Sequence, residues 1–154
     1  MNALNHRLPT IARWLLGAGF FVFGLNGFLH FLPTPPLPAA AGSFLGALVA
    51  TGYMFPLIKG TEVLAGALLL RNRFVPLALA LLAPVLVNIV AFHGLLAPAG
   101  LALPLVLLTA ELYLAYAYRA AYAPMLRAQV QPGVADAALA PAPSAVGPQL
   151  GRVA

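Results

Sequence analysis

The chain contains no cysteine, one lysine and only three acidic residues in 154 positions. Without cysteine, its own side chains offer no thiol or persulfide step, no disulfide and no thiolate metal site. Charged residues make up 7% of the chain, against roughly 25% in a typical soluble domain. That leaves too little polar surface to face water. The eight basic residues, which give a net charge of +5, are too dispersed to form a nucleic-acid patch. No glycine-rich phosphate loop is present. Ser43 and Ser144 have no neighbouring acid that would complete a catalytic triad. No Glu-x-x-His pair offers a carboxylate-rich metal site, so no metal is expected.

Apolar sequence dominates instead. Hydrophobic residues make up 62% of the chain, and the mean hydropathy is +0.95. The expected class is an all-α integral membrane protein built as a four-helix bundle. Arg7 and Arg13 precede a long apolar run. That run exceeds a signal peptide's usual core and lacks a clean cleavage site, so it reads as a retained first span. Pro9 and Thr10 are suited to open it, and the helix is expected over 11–31. Gly17, Gly24 and Gly27 lie near one face and would allow a close helix contact. The proline-rich segment 32–42 reads as an extended connection.

Ser43 is a candidate cap for apolar sequence that begins at Phe44 and runs to Leu70. Gly52 and Pro56 interrupt it. Two forms are expected: a short outer helix over 44–52 followed by a span over 54–70, or one sharply kinked helix. Arg71-Asn72-Arg73 reads as a tight basic turn. A third helix is expected over 74–96, bent at Pro84, then a short loop over 97–100 and a fourth helix over 103–122. Tyr113, Tyr116, Tyr118 and Tyr122 form an interfacial belt near Arg119. The domain is therefore 1–127, and the Ala/Pro-rich remainder, 128–154, reads as a disordered cytoplasmic tail.

Every arginine falls on one side of this arrangement, and the two opposite loops carry no charge. The positive-inside rule then places both termini in the cytoplasm of a bacterial cell, with the chain in its inner membrane. Counting from the nearest cytoplasmic arginine places Glu62 and Glu111 roughly 12–13 Å deep. Asn26, Lys59 and Asn88 follow at roughly 18–22 Å, and His30 and His93 at roughly 25–30 Å. Charges at such depth are costly and turn inward toward partners. The expectation is one outward-opening polar pocket lined by Asn26, His30, Lys59, Glu62 and Asn88. His93 is a further candidate near the outer boundary, and Glu111 would close the pocket from below. Lys59 and Glu62 share a helix face at i, i+3. Asn88 and His93 are about 140° apart around their helix, so both need not point inward. Glu111 has no cation on its own helix. It must be neutral or pair with Lys59 or a histidine across the bundle.

The second span, KGTEVLAGALLLRNR, contains Glu62, Gly66 and a leucine run that ends in arginine. With it come Arg13, Gly24 and Asn26 in the first helix, a Pro-rich loop, Pro76-Leu77-Ala78, and NIVAFH ending at His93. Over residues 8–120 this pattern resembles the DoxX family of small bacterial four-helix membrane proteins. The resemblance implies a link to membrane redox or oxidative-stress assemblies. It also implies a quinone as candidate ligand, a membrane or periplasmic redox partner, and functional weight on Glu62, then Asn26, Lys59 and His93. No covalent cofactor is expected, and a homo-oligomer is left open. Three function classes follow: a binder of a quinone-like or other amphipathic molecule, a non-catalytic assembly protein, and a proton- or solute-conducting bundle. The residues do not say whether the protein is an enzyme.

Overall fold

The computed structural model describes residues 3–33 and 36–129, so most of the expected tail lies outside the described residues. Among the described residues every regular element is helical. Helix α1 spans Ala3–Leu29 and carries Pro9 inside it. The expected start near Ile11 is therefore too late. Pro9 removes one backbone bond close to the helix start, which does not stop the helix. The other end comes at Leu29 because His30 takes a left-handed φ of 52°. Histidine is one of the few non-glycine residues that enter that region readily. Asn26 closes this end twice. Its main-chain oxygen accepts from the His30 N–H at 2.9 Å, and its Oδ1 accepts from the Leu32 N–H at 2.7 Å.

Helix α2 spans Ala39–Ala50 and starts before the expected Phe44. The prolines end at Pro38, which is extended at φ −54° and ψ 148°. Three alanines follow at once, and alanine is the strongest helix former. Ser43 is thus inside the helix and caps nothing. A corner follows at Thr51–Tyr53, where Gly52 takes φ 75°. The Thr51 hydroxyl donates to the Leu48 carbonyl at 2.6 Å and accepts from the Met54 N–H at 3.0 Å. Helix α3, Met54–Leu70, leaves this corner at 92° to α2. The chain thus forms two helices joined at a sharp corner over this stretch.

The basic turn is a Schellman ending with asparagine in the usual glycine place. The Asn72 N–H reaches Leu69 O and the Arg73 N–H reaches Leu68 O, both at 3.0 Å, while Asn72 takes φ 54°. Helix α4 spans Val75–Leu95, with Pro76 in its first turn and Pro84 inside it. A single 3-10 turn, Pro98–Gly100, leads to α5 over Ala102–Ala117. The fourth helix therefore ends before the expected Tyr122. The backbone breaks at Tyr118 and continues as the four-residue α6, Arg119–Tyr122. This turns Tyr122 back onto α4, where its hydroxyl donates to the Pro76 carbonyl at 2.8 Å.

Helix α1 packs against α3 and α5, and α4 packs against the same two, so the four longer helices close a ring. Gly17 lies against Leu69, and Gly27 lies against Lys59, so α1 and α3 run antiparallel. The buried core is built from Leu16, Phe20, Leu69, Leu79, Leu82 and Leu114, with smaller neighbours. It sits in the half of the ring that carries Arg13 and the arginine turn. Outward positions are also apolar: Trp14, Leu57, Leu64, Leu77, Val87 and Leu112 are all exposed. Among the described residues two helices, Arg7–Leu29 and Val75–Leu95, are long and apolar enough to cross a membrane, or three if α2 and α3 count as one bent span. This is consistent with a membrane protein. Helix α5 is apolar but has 16 residues, roughly 24 Å.

Candidate functional site

The site is built where α1 and α3 approach most closely. Glycine on both helices makes the approach possible. A Cβ on Gly66 would stand 2.6 Å from the Phe21 nitrogen and 2.9 Å from the Gly17 carbonyl oxygen. One on Gly24 would stand 2.9 Å from the Val63 nitrogen and 3.0 Å from the Glu62 Cβ. The close contact expected of Gly17, Gly24 and Gly27 is present, with Gly66 as its counterpart on α3.

This contact buries Glu62, whose side chain is 2% exposed. Lys59, one turn earlier on α3, answers it. Its ammonium donates to Glu62 Oε1 at 3.0 Å and to Oε2 at 2.8 Å. The lysine stem reaches that position by lying across α1 at Gly27, where a Cβ would meet its Cγ at 2.5 Å. The Phe55 ring lies 5.8 Å from the ammonium, a distance at which an aromatic face attracts a cation. Lys59 keeps 20% of its side chain exposed. An ammonium has three donors, and Glu62 uses two of them. The pair is thus anchored at a buried carboxylate and opens at the lysine.

The remaining expected pocket residues do not join it. Asn26 is half-buried, and its side-chain oxygen is occupied by the Leu32 N–H. His30 is exposed beyond the end of α1. Asn88 is exposed on α4, in a groove shared with Phe44, Ala91 and Phe92. Its depth resembles that of Lys59, but it points to another face of the ring. His93 is half-buried. Its Nδ1 lies 2.8 Å from the Ile89 carbonyl, and its ring rests against Gly100. Glu111 is buried at 5% exposure, its Oε2 has no hydrogen-bond partner among the described residues, and it belongs to the α5 side. Gly19 meets Leu107, one turn from Glu111, whereas Gly24 meets Glu62. Along α1 the two carboxylates are therefore roughly 13 Å apart. Glu111 does not close a pocket beneath Glu62, and Lys59 does not reach it.

One residue has a larger role than its sequence position suggests. Arg13 reads as a topology marker, yet it is 8% exposed. Its guanidinium crosses to α3 and donates to the carbonyls of Leu69 and Leu70. These are end-of-helix carbonyls, where a cation also meets the negative end of the dipole. The available signal is an arginine more than a turn inside apolar helical sequence. Replacing Arg13 with glutamine is expected to lower stability by about 1.5–3 kcal/mol, the range for hydrogen bonds to charged groups. Thermal unfolding in detergent checks this, and an unchanged melting temperature would show that the contact is idle.

Comparison of the chain with protein-family models, curated proteins and solved structures gives no match. The site therefore has to be interpreted from its own chemistry.

Proposed function

We propose that the chain is a DoxX-like inner-membrane protein with four spans and both termini in the cytoplasm. On this reading α1, α3, α4 and α5 each cross the bilayer, and the protein serves as a non-catalytic membrane subunit of an assembly. The observation that carries it is the engagement of both Glu62 oxygens by Lys59, with the lysine stem seated on Gly27. The pair itself lies within α3, and its lysine stem seats that helix against α1 at Gly27. Arg13 joins the two helices directly at the other end of that contact, donating from α1 to α3 carbonyls. The polar residues that would hold a quinone share no hydrogen bond with the pair: Asn26 is taken by Leu32, His93 lies against Ile89, and Asn88 opens on a separate groove. The set does not fit a quinone site.

Since the chain lacks cysteine, single substitutions report topology cleanly. In intact cells a membrane-impermeant maleimide should label Ala99→Cys from outside. It should label Arg73→Cys only after the membrane is opened. Labelling of Arg73→Cys in intact cells would overturn the four-span arrangement.

A second reading has one observation in its favour. Lys59 retains a third N–H, an exposed fifth of its side chain and an aromatic neighbour. This suits the carbonyl or anionic head of an amphipathic molecule. A shift of the lysine nitrogen resonance on adding a fatty-acid anion would support that role. A fixed resonance would remove it.

A further inference from the structure

Helix α4 carries a polar group that the Lys59–Glu62 pair leaves out. Asn88 is exposed, and its side-chain amide has no hydrogen-bond partner among the described residues. It stands 15 residues beyond Arg73, roughly 22 Å along the helix. With α4 crossing the bilayer, as the four-span reading has it, this amide lies in an apolar groove beside Phe44 and Phe92 that opens onto hydrocarbon, and neither offers a side-chain donor or acceptor.

Asn88 also lies on a regular line. Leu77, Leu81, Pro84, Asn88, Ala91 and Leu95 follow one another at alternating spacings of four and three residues. All are exposed except Leu81, which is half-buried. The face of α4 that packs into the ring is a different one, formed by Val75, Ala78, Leu79, Leu82 and Leu86. Alternating steps of four and three average 3.5 residues, the period that keeps one line of a helix against a parallel twin. A single asparagine on such a line sets the register and number of strands.

We infer that this face of α4 binds α4 of a second copy of the chain, with Asn88 of each copy hydrogen-bonded to Asn88 of the other. The choice of partner follows from the amide itself. It carries a donor and an acceptor, so two identical amides across a two-fold axis satisfy each other. Such an interface is self-complementary, as a symmetric dimer requires. A lipid chain satisfies neither group, and a ligand bearing only a carbonyl leaves the asparagine oxygen unpaired. This inference rests on the membrane reading but not on the role given to Lys59 and Glu62, which lie within one protomer.

The test uses the full chain in detergent micelles and in liposomes. Under oxidant, Ala91→Cys is expected to form a covalent dimer. Val106→Cys, exposed on α5, is expected to stay monomeric. Asn88→Leu should weaken the dimer roughly tenfold, as read by energy transfer between labelled copies on dilution. Its melting temperature should hold when extrapolated to the monomer. Any of three results would overturn the inference: Ala91→Cys linking no better than Val106→Cys, Asn88→Leu dimerising like the parent, or a parent that is monomeric at every concentration. Lys59→Met separates the two proposals. A destabilised Lys59→Met with no cross-link at Ala91 ends the dimer and keeps the ion-pair lock. A cross-link with unaltered Lys59→Met stability does the reverse.

Discussion

Replacing Gly66 with alanine is expected to push α1 and α3 apart and lower stability by about 3 kcal/mol, the upper part of the usual overpacking range. The added methyl would meet backbone: the Phe21 nitrogen at 2.6 Å, the Gly17 oxygen and the Phe21 Cα both at 2.9 Å. Backbone inside a helix cannot step aside as a side chain can. The sign is what makes the test strong. Inside a helix, glycine to alanine ordinarily stabilises, by about 0.5–1 kcal/mol. A Cβ on Gly60 would meet nothing within 4 Å, so Gly60→Ala should show that ordinary gain. Thermal melts of the two variants should move in opposite directions. If both rise, the α1–α3 contact is looser than described.

The second large effect concerns the charge pair. Glu62→Leu leaves the Lys59 ammonium facing apolar surroundings without its carboxylate. Removing one partner of a buried pair costs about 3–5 kcal/mol. Lys59 is 20% exposed, so the lower end of that range is expected. Lys59→Met strands a carboxylate that is 2% exposed and should also destabilise. The double variant, Lys59→Met with Glu62→Leu, should be more stable than Glu62→Leu alone, because replacing a buried pair by apolar groups is often close to neutral. Additive losses would mean that the two side chains do not act together.

These residues also show what the sequence makes legible. The bounds of α3 follow from local chemistry: Pro56 fits a first turn, and the Arg71–Arg73 turn ends the apolar run. The Lys59–Glu62 contact follows from i, i+3 spacing on one helix, which needs no tertiary information. Depth can be counted in the same way, but direction around the ring cannot. Asn88 and Lys59 sit at similar counted depths on different faces, because helix rotation is set by packing against neighbours. Glu111 escapes the depth count itself: equal counts from Arg71 and Arg119 assume level helix ends, whereas Gly19 meets Leu107 and Gly24 meets Glu62. The role of Asn26 depends on the chain reversing after His30, and nothing in the local pattern marks a left-handed histidine. The early start of α2 is legible in principle, since Pro38 is followed directly by three alanines. Proline density in the preceding segment outweighs that signal. Arg13 is masked by a rule that is correct for most arginines near a membrane. That rule assigns a flanking arginine to topology, whereas the contact Arg13 makes is to another helix.

Lys59 and Glu62 form one ion pair at the contact of α1 with α3, and a single-site isotope experiment reaches it directly. Lys59 is the only lysine in the chain, so nitrogen-15 lysine labelling gives one side-chain ammonium signal. With carbon-13 at the glutamate carboxyls, solid-state NMR in lipid bilayers reads its dipolar coupling to Glu62. Nζ–Oε distances of 3.0 and 2.8 Å predict strong dephasing that vanishes in Glu62→Gln and persists in Glu111→Gln. An ammonium signal with no dephasing, or with dephasing that survives Glu62→Gln, would contradict the claim.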